Sequence, residues 1–310
     1  MKWSKHWNGR ARAALIACSL AYSAAYAAPD ASAIKVMTYN IRCSYGDPRT
    51  ENAWELRRQD MTDQIERENP DIAGFQEVVM DQRKWLEAHF KDYAFIGDSR
   101  NADRKGGEAS PVMYRKSRFE AVKSGTFWLS ETPDKPGSKS WNTAYPRICT
   151  YAILKDKTTG KTFAFANTHT DHKSEEAREK GMLLIIERMK EFGKDLPIVF
   201  TGDHNCLENT KPALAVSKIL KDAIYLSETP PEGPWRTCND FKWKGESMSI
   251  VDALKLDVQE RTAKAGARID YIYVSPGVKV LSYRTDPSPR PGTHLYPSDH
   301  FPSSAVIQLP

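Results

Sequence analysis

The sequence predicts an α/β fold of four layers, in which two packed mixed β-sheets are flanked by α-helices. Eleven short runs rich in β-branched and aromatic residues are spread along the 310 residues, and only four helical patterns interrupt them. So many strands with so few helices do not fit a doubly wound parallel sheet and favour two stacked sheets with helices outside. Beyond residue 34 the chain has no linker, repeat or low-complexity tract, which predicts one domain over residues 28–310.

The strands are predicted where β-rich runs of four to eleven residues occur. They are expected at residues 34–41, 71–78, 93–96, 111–115, 119–129, 147–154, 162–168, 197–201, 268–274, 279–283 and 305–309. Two irregular stretches, 130–145 and 286–298, contain proline and are long, and loops of this kind often carry function.

Four helices are predicted from helical spacing and from start and stop signals, at residues 53–68, 81–90, 174–192 and 211–220. The third is the clearest, because Ser174 can cap its first turn, Glu175 and Glu176 complement the helix dipole, and Gly193 follows its end. Its apolar residues recur at helical spacing and are expected to face the core.

The first 27 residues have the layout of a secretory signal peptide. A basic start is followed by an apolar run from Ala13 to about Ala25, which is shorter than the roughly 20 residues of a membrane anchor. Ala25 and Ala27 are the small residues that a signal peptidase reads, so we expect export, as a periplasmic or secreted protein. Residues 15–18 resemble a bacterial lipobox, which leaves lipidation of Cys18 as an alternative.

The formal net charge of +5 comes mostly from this N-terminal segment. The segment contains four basic and no acidic residues, so its removal leaves a net charge of +1. A near-neutral chain lacks the broad positive surface on which non-specific nucleic-acid binders depend. Nucleic acid is therefore possible as a substrate but not favoured, and we expect a monomer without a membrane span.

Four cysteines, Cys43, Cys149, Cys206 and Cys238, follow the expected cleavage site. None of them belongs to a Cys-x-x-Cys pair, so a structural zinc site is not predicted. An oxidising compartment would permit a disulfide, and buried free thiols are equally compatible with the spacing.

Polar residues stand where several of the predicted strands end. A single acidic residue at a strand end is common, because strands end at the protein surface. A whole series of Asn, Glu, Asp and His residues at such positions is hard to explain in that way. Because aligned strand ends lie along one edge of a sheet, we expect these side chains to converge. They are Asn40, Glu77, His169, Asp203, Asn205, Asp270, Asp299 and His300.

These residue types suit the hydrolysis of a phosphate ester. Hard oxygen ligands such as Glu77, Asp203 and Asp299 hold Mg²⁺ or Mn²⁺, and a metal held by carboxylates neutralises phosphate charge. Zinc would prefer a denser cluster of His and Cys ligands. Histidines near carboxylates stabilise a charged transition state or transfer protons.

Six short motifs resemble, in content and order, those of the endonuclease/exonuclease/phosphatase superfamily. They are Thr38-Tyr39-Asn40-Ile41-Arg42, Gly74-Phe75-Gln76-Glu77-Val78, Asn167-Thr168-His169, Gly202-Asp203-His204-Asn205, Arg268-Ile269-Asp270-Tyr271-Ile272 and Ser298-Asp299-His300. Each motif alone is weak, but together they span nearly the whole mature chain. Residues 127–130, 167–172 and 175–178 look most like those of exported bacterial members related to nocturnin-type enzymes.

The resemblance implies a metal site and a water-activating site. Glu77 would ligate the metal, Asn40 would bind beside it, and Asp299 would complete the metal shell or orient the site. Asp203 would orient or deprotonate the attacking water, and Asn205 would position it.

The resemblance also implies roles for the histidines. His169 and His300 would donate to the phosphoryl oxygens, and Asp270 would fix the tautomer of His300 by a hydrogen bond. Glu108 matches the acid that pairs with the first histidine in deoxyribonuclease-like members. His204 stands where the family usually has phenylalanine, and it either packs as a substitute ring or reaches the site.

Three further residues are substrate-binding candidates. Arg147 could clamp a phosphate or lie on the surface, Trp141 could stack on a base or sugar or anchor its loop, and His172 could line the pocket. We expect a Mg²⁺- or Mn²⁺-dependent phosphoesterase that hydrolyses a phosphodiester or phosphomonoester, on a nucleotide or another small phosphate ester. The motif residues are expected to contact the phosphate group and do not specify what is attached to it, so a secreted nuclease is an alternative. A catalytically silent binding protein of the same fold is another.

Overall fold

The computed structural model of the chain describes residues 30–245 and 247–310. Residues Ala31–Pro310 form one compact unit. The expected signal peptide, its cleavage site and Cys18 lie outside the described residues. No helix in the described ranges is both long enough and apolar enough to span a bilayer.

The described residues form twelve strands and six α-helices. In chain order they are β1 Ile34–Asn40, α1 Trp54–Glu68, β2 Ile72–Gln76, α2 Met80–His89, β3 Tyr93–Ile96, β4 Val112–Arg115, β5 Phe119–Trp128, β6 Ile148–Asp156, β7 Thr162–His169, α3 Glu175–Gly193, β8 Ile198–Asp203, α4 Lys211–Ser217, β9 Lys221–Asp222, α5 Ile250–Ala253, α6 Val258–Lys264, β10 Asp270–Val274, β11 Lys279–Thr285 and β12 Ser303–Gln308. All eleven predicted strands and four predicted helices are present. The elements β9, α5 and α6 were not predicted, because two to seven residues are too few for a recognisable period.

The predicted fold class is confirmed, since two mixed six-stranded sheets are flanked by helices. The strand order is β11-β12-β1-β2-β4-β3 in the first sheet and β5-β6-β7-β8-β10-β9 in the second. Each sheet has one parallel pair at its centre, β1 with β2 and β7 with β8, between antiparallel neighbours. The helices α1 and α3 connect these parallel pairs, as a parallel crossover requires.

Successive side chains of a strand point to opposite faces, and this alternation separates three apolar clusters. Ile34 of β1 and Phe165 of β7 belong to the cluster between the two sheets. Met37 of β1 belongs to the cluster under α1 and α2, and Ala166 of β7 belongs to the cluster under α3 and α4. The layers therefore run helices, sheet, sheet, helices.

The start of α3 is fixed as the sequence predicts. Ser174 is the N-cap, and its side-chain oxygen accepts a hydrogen bond from the backbone N–H of Ala177 at 3.1 Å. Asp171 holds the preceding turn, because its Oδ1 accepts from the backbone N–H groups of Lys173 at 3.0 Å and Ser174 at 2.8 Å. These bonds fix the short loop between β7 and α3, which carries His172.

The layer between the sheets changes from apolar to polar along the strands. Four fully buried side chains form a hydrogen-bonded network across it: Thr38, Gln76, Asn167 and Thr201. Gln76 Nε2 donates to Thr38 Oγ1 at 3.1 Å and to Asn167 Oδ1 at 2.7 Å. Thr201 Oγ1 donates to Asn167 Oδ1 at 3.1 Å, within the second sheet. The network holds the two sheets together near the strand ends. Separation of the sheets would leave these buried polar groups without hydrogen-bond partners, which is costly in free energy.

Candidate active site

The carboxyl ends of the four parallel strands meet at one edge of the two sheets, and the polar residues predicted there converge. Asn40 ends β1, Glu77 follows β2, His169 ends β7 and Asp203 ends β8. His169 lies opposite Asp203 in the parallel pairing, and Asp270 lies opposite Asp203 on its other side. The topology thus brings together side chains that are far apart in the sequence.

A cleft of about 510 Å³ opens at this edge. Nine of the twelve predicted site residues line it: Glu77, Glu108, Arg147, His169, His172, Asp203, Asn205, Asp299 and His300. Asn40 and Asp270 are fully buried and do not line the cleft. Trp141 also lies outside the lining, because its loop turns it towards α3, where the Lys180 ammonium is 5.7 Å from its ring centroid.

Asn40 joins the two sheets at the base of the cleft. Its Nδ2 donates to Glu77 Oε1 at 3.1 Å and to Asp203 Oδ2 at 3.0 Å, and its Oδ1 accepts from the backbone N–H of Arg42 at 3.0 Å. The amide oxygen already has a partner, so Asn40 lies beside Glu77, as expected, and its amide nitrogen bridges two carboxylates.

Glu77 is held as an ionised carboxylate in a strained backbone position. Its φ of +61° lies in the left-handed region, which costs free energy for a residue with a Cβ and is often found at functional sites. Burial raises the pKa of Glu77, but hydrogen bonds from Asn40 and the Cys43 N–H, together with the charge of Arg42, keep it below the ordinary value. Glu77 is therefore an anionic oxygen ligand at neutral pH.

Asp299 and Glu77 fit a hard divalent cation. Both carboxyl groups line the cleft, and the pKa of Asp299 is raised by burial and by the negative charge of Glu77. A cation between two such groups would relieve their repulsion, and oxygen donors favour Mg²⁺ or Mn²⁺. Arg42 Nη1 stays 3.7 Å from Asp299 Oδ2.

Asp203, Asp270 and His300 also bring three ligand atoms within 4.8 Å of one another. His300 Nδ1 and Asp270 Oδ2, however, already form a hydrogen bond of 2.8 Å, and Asp270 does not line the cleft. A metal ion there would have to replace that bond. The geometry of these three residues therefore favours a hydrogen-bonded acid–histidine pair over a metal ion at this cluster.

The predicted hydrogen bond between Asp270 and His300 is present and sets the charge of this histidine. Burial lowers the pKa of His300, but the buried carboxylate of Asp270 outweighs burial and raises it well above the ordinary value. His300 is thus protonated at neutral pH, with Nε2 at 3.8 Å from Asp203 Oδ2.

His169 has the opposite electrostatic character. Its Nε2 lies 2.9 Å from Asn205 Nδ2, which donates to it, and 3.5 Å from Asp203 Oδ2. Burial, together with the positive charge of Arg147, lowers its pKa well below the ordinary value. His169 is therefore neutral, and its Nδ1 has no hydrogen-bond partner among the described residues.

Glu108 lies beside His169 as expected, without a hydrogen bond between the two side chains. Glu108 Oε2 stays 4.0 Å from His169 Nδ1. The reason is that both carboxylate oxygens have other partners, because Tyr45 OH donates to Oε1 at 2.5 Å and Arg100 Nη1 donates to Oε2 at 2.7 Å.

Asp203 lies between the two histidines and has an unusual proton affinity. Its Oδ1 accepts from the backbone N–H of Asn205 at 2.9 Å, while Oδ2 accepts from Asn40. Burial and the charge of Asp270 raise its pKa to about 7. A carboxyl group that titrates near neutral pH is suited to accept a proton from water.

Arg147 lies in the cleft and not on the surface. It is 5% exposed, its Nη2 donates to His172 Nδ1 at 2.9 Å, and its Nε is 3.6 Å from Asp171 Oδ2 without a hydrogen bond. Its positive charge is thus only loosely balanced, as a phosphate-binding group requires.

His204 packs as an aromatic ring and does not reach the cleft. Its ring is nearly parallel to those of Tyr271 and Tyr273, at centroid distances of 5.3 and 5.6 Å. Burial and the charge of Arg268 lower its pKa to about 3. Of the two alternatives at this position, the structure confirms the first: the ring of His204 packs in place of the phenylalanine that is usual in the family.

Arg57 is a structural residue beside the cleft. It is buried and donates to the backbone oxygens of Ile41 at 2.6 Å, Arg42 at 2.7 Å and Pro297 at 2.9 Å, so it fixes the two loops that precede Asp299 and follow Asn40. Further lining residues come from loops and carry no periodic pattern: Tyr45, Arg100, Tyr145, Cys43, Cys238 and Asp240. The four cysteines of the described residues are free thiols.

Comparison with known proteins agrees with this geometry. The sequence model of the Endonuclease/Exonuclease/phosphatase family matches residues 37–300. The protein angel of Drosophila melanogaster is 25% identical over 198 residues, which are 58% of this chain and about half, 54%, of that relative. A solved endonuclease/exonuclease/phosphatase from Bacteroides vulgatus is 34% identical with a TM-score of 0.78, and the match covers 90% of this chain and 99% of the other. The mannosyl-6-phosphatase of Bacteroides thetaiotaomicron is 33% identical with a TM-score of 0.75, covering 88% and 99%.

Proposed function

Because the chain belongs to the endonuclease/exonuclease/phosphatase family, we propose that it is a divalent-metal-dependent hydrolase of small phosphate esters. One arrangement carries the proposal: Asp203 lies 3.5 Å from His169 and 3.8 Å from His300, in a cleft that is also lined by the carboxyl groups of Glu77 and Asp299. We also propose export, to the periplasm or the medium, on the basis of residues 1–27 alone.

The protein side chains divide the work of hydrolysis among them. Asp203, with a pKa of about 7, accepts the proton of the attacking water. Asn205 positions Asp203 through its backbone N–H and His169 through its side chain. Protonated His300 donates to the phosphoryl oxygens, and Arg147 adds a positive charge that stabilises the transition state.

Glu77 and Asp299 would hold the metal. When bound, Mg²⁺ or Mn²⁺ would neutralise phosphate charge and polarise the phosphorus–oxygen bond. The thiols that line the cleft do not favour a softer ion, because burial, the largest cause, raises the pKa of Cys43 to about 12 and that of Cys238 above its ordinary value. A protonated thiol is a poor ligand.

A small substrate fits better than a polymer. The cleft of about 510 Å³ is within the size range of small-molecule sites. The chain without residues 1–27 is nearly neutral, which does not favour polymeric nucleic acid. One relative of 33% identity is named a mannosyl-6-phosphatase, which supports a small phosphorylated molecule as the substrate.

A hydrolysis screen tests the proposal. The chain without its first 27 residues is assayed with Mg²⁺, Mn²⁺ or EDTA on sugar phosphates, inositol phosphates, dinucleotides, poly(A), plasmid DNA and sphingomyelin. We expect turnover of a small phosphate ester that EDTA abolishes. Activity that persists in EDTA would exclude the metal, and strong, steeply salt-dependent cleavage of DNA would favour a nuclease.

The variant Asp203→Ala tests the role of the carboxylate. We expect a loss of roughly 10²–10⁴-fold in kcat with little change in melting temperature. Asp252→Ala, which removes an exposed acid of α5 outside the cleft, is the control and should keep full activity. Turnover that survives Asp203→Ala would contradict the mechanism.

A further inference from the structure

One wall of the cleft is a connected group of side chains that the hydrolytic residues do not use. Tyr45 OH donates to Glu108 Oε1 at 2.5 Å, and Arg100 Nη1 donates to Glu108 Oε2 at 2.7 Å. The guanidinium of Arg100 lies over the ring of Tyr145, 4.6 Å from its centroid. All four residues line the cleft, and we call them the rim cluster.

The rim cluster combines exposed aromatic rings with a protected ion pair. Tyr45 and Tyr145 are 56% and 51% exposed, whereas the side chains of Arg100 and Glu108 are only 10% and 14% exposed. Three separate loops contribute, and a backbone hydrogen bond of 3.0 Å from Arg100 N to Glu108 O holds the central loop closed. The side chains are therefore preorganised at the mouth of the cleft.

Charge compensation limits how many anionic groups the cleft can take. Arg100 is neutralised by Glu108, and Arg42 Nε donates to Asp47 at 2.8 Å. Among the cleft arginines of the described residues, Arg147 is the one that donates to no carboxylate. One phosphate can therefore bind beside Arg147, and the part of the substrate that faces the rim cluster should be uncharged.

The chemistry of the rim cluster matches a ring that carries several hydroxyl groups. A carboxylate has about four lone-pair sites and a guanidinium has five N–H donors, so Glu108 and Arg100 keep capacity for adjacent hydroxyl groups after their mutual bond. The negative face of an exposed tyrosine ring suits the weakly positive C–H groups of a sugar. Arg100 already covers the ring of Tyr145, which leaves the exposed ring of Tyr45 for this contact.

We propose that the rim cluster binds the neutral, polyhydroxylated leaving group of a phosphate monoester, so that the substrate is a sugar phosphate. This inference rests on the proposed hydrolysis and concerns the group that is released. The rim cluster contributes to binding of the substrate and is not assigned to the reacting atoms. It sets specificity through Glu108, whose negative charge balances Arg100 and excludes a second phosphate.

Steady-state kinetics on three kinds of phosphate monoester test the proposal. The probes are glucose 6-phosphate with mannose 6-phosphate, a nucleoside 5′-monophosphate, and p-nitrophenyl phosphate, each with Mg²⁺ or Mn²⁺. For the wild type we expect kcat/KM to be about 10-fold or more higher for a hexose phosphate than for the nucleoside monophosphate, since a hydrogen bond to a charged group contributes about that factor.

The variant Glu108→Gln removes the charge and keeps the shape. We expect KM for the hexose phosphate to rise about 10-fold or more relative to KM for p-nitrophenyl phosphate. The relative kcat/KM for a hexose bisphosphate should rise as well, because Arg100 is then uncompensated. The milder Tyr45→Phe, at an exposed position, should shift the same ratio in the same direction by about 3-fold.

The chain offers a matched control outside the cleft. Tyr225 OH and Arg261 Nε both donate to Glu208, so the same three residue types form a second cluster, with Tyr225 49% exposed. Glu208→Gln and Tyr225→Phe should leave the substrate ratios at wild-type values.

The outcomes separate the two proposals. A wild type that hydrolyses none of these monoesters but turns over another ester of the hydrolysis screen refutes the sugar-phosphate proposal alone, and one that hydrolyses no ester of either set refutes the hydrolytic function itself. Metal-dependent turnover of p-nitrophenyl phosphate without preference for hexose phosphates, or with ratios unchanged in Glu108→Gln and Tyr45→Phe, refutes the role of the rim cluster and leaves hydrolysis intact. A preference for the nucleoside monophosphate would show that the rim cluster binds a nucleoside and not a sugar.

Discussion

The two ends of the layer between the sheets are built by the same strands and differ in almost every physical property. At one end Ile34, Phe165 and Ile272 are fully buried in a continuous apolar cluster. At the other end the same strands, β1, β7 and β10, carry Asn40, His169 and Asp270 on the same face. Stability is concentrated at the apolar end and chemistry at the polar end, which we call the catalytic end.

The catalytic end is built at a cost in stability. It contains a buried carboxyl with a pKa of about 7, Asp203, and a glutamate at φ +61°, Glu77. Asp270 Oδ1 lacks a hydrogen-bond partner among the described residues. Each feature is unfavourable for folding, and the network around Gln76 and Asn167 maintains them. Strain of this kind is expected where function, and not stability, selects the residues.

The variant Asp270→Asn should give the largest effect on the catalytic end. His300 would lose the carboxylate that keeps it protonated against the effect of burial, so we expect kcat to fall roughly 10²–10⁴-fold. A raised folded-state pKa contributes stability that is present below the ordinary pKa and is lost as pH rises through the raised value. In the variant this alkaline loss should be absent from denaturant unfolding measured against pH. A variant that keeps wild-type kcat would show that Asp270 does not tune His300.

The variant Phe165→Ala tests the other end of the layer. Phe165 is fully buried between the sheets, so removal of its ring should lower the free energy of unfolding by about 3–5 kcal/mol. The kcat per folded molecule should stay near the wild-type value. The measurements are urea unfolding and kcat at a temperature where the variant is folded, with Phe165→Leu as the milder control. If kcat fell as steeply as in Asp270→Asn, the separation of stability from chemistry would be wrong.

The same comparison explains what the sequence could predict. Strand ends were predictable because an apolar run stops at Asn40, His169 and Asp203, and aligned strand ends must share an edge of the sheet. The two-sheet fold followed from the ratio of strands to helices. The parallel pairs could not be predicted in the same way, because pairing joins residues that are distant in the chain.

Contacts between loop residues could not be predicted from the sequence. The bond from Tyr45 to Glu108 joins residues 63 positions apart, and neither residue belongs to a periodic element. Glu108 was therefore assigned to His169 by resemblance, although Arg100 and Tyr45 bind both of its oxygens. Trp141 was predicted to bind the substrate because it is aromatic. Its loop directs the side chain away from the cleft, so it is not among the lining residues.

His204 shows where the catalytic end stops. It follows Asp203 directly in the chain, but it does not line the cleft. Its ring lies in the aromatic cluster of Phe200, Tyr271 and Tyr273 on the other side of the sheet. Neither ring nitrogen has a hydrogen-bond partner among the described residues. Position on the strand, and not residue type, thus decides which side chains belong to the site.

The variant His204→Phe should have the smallest effect at neutral pH and none on kcat. Removal of unpaired buried nitrogens should stabilise the fold by about 1 kcal/mol. The folded-state pKa of His204, about 3, lies below the ordinary value of about 6.5, so the unfolded chain binds the proton first and wild-type stability falls as pH drops between these values. Phenylalanine binds no proton, so the stability difference between variant and wild type should grow from pH 6.5 towards pH 3 in urea unfolding. A difference that stays constant over this range would mean that His204 takes up the proton as readily in the folded protein as in the unfolded chain, which would contradict its unpaired burial.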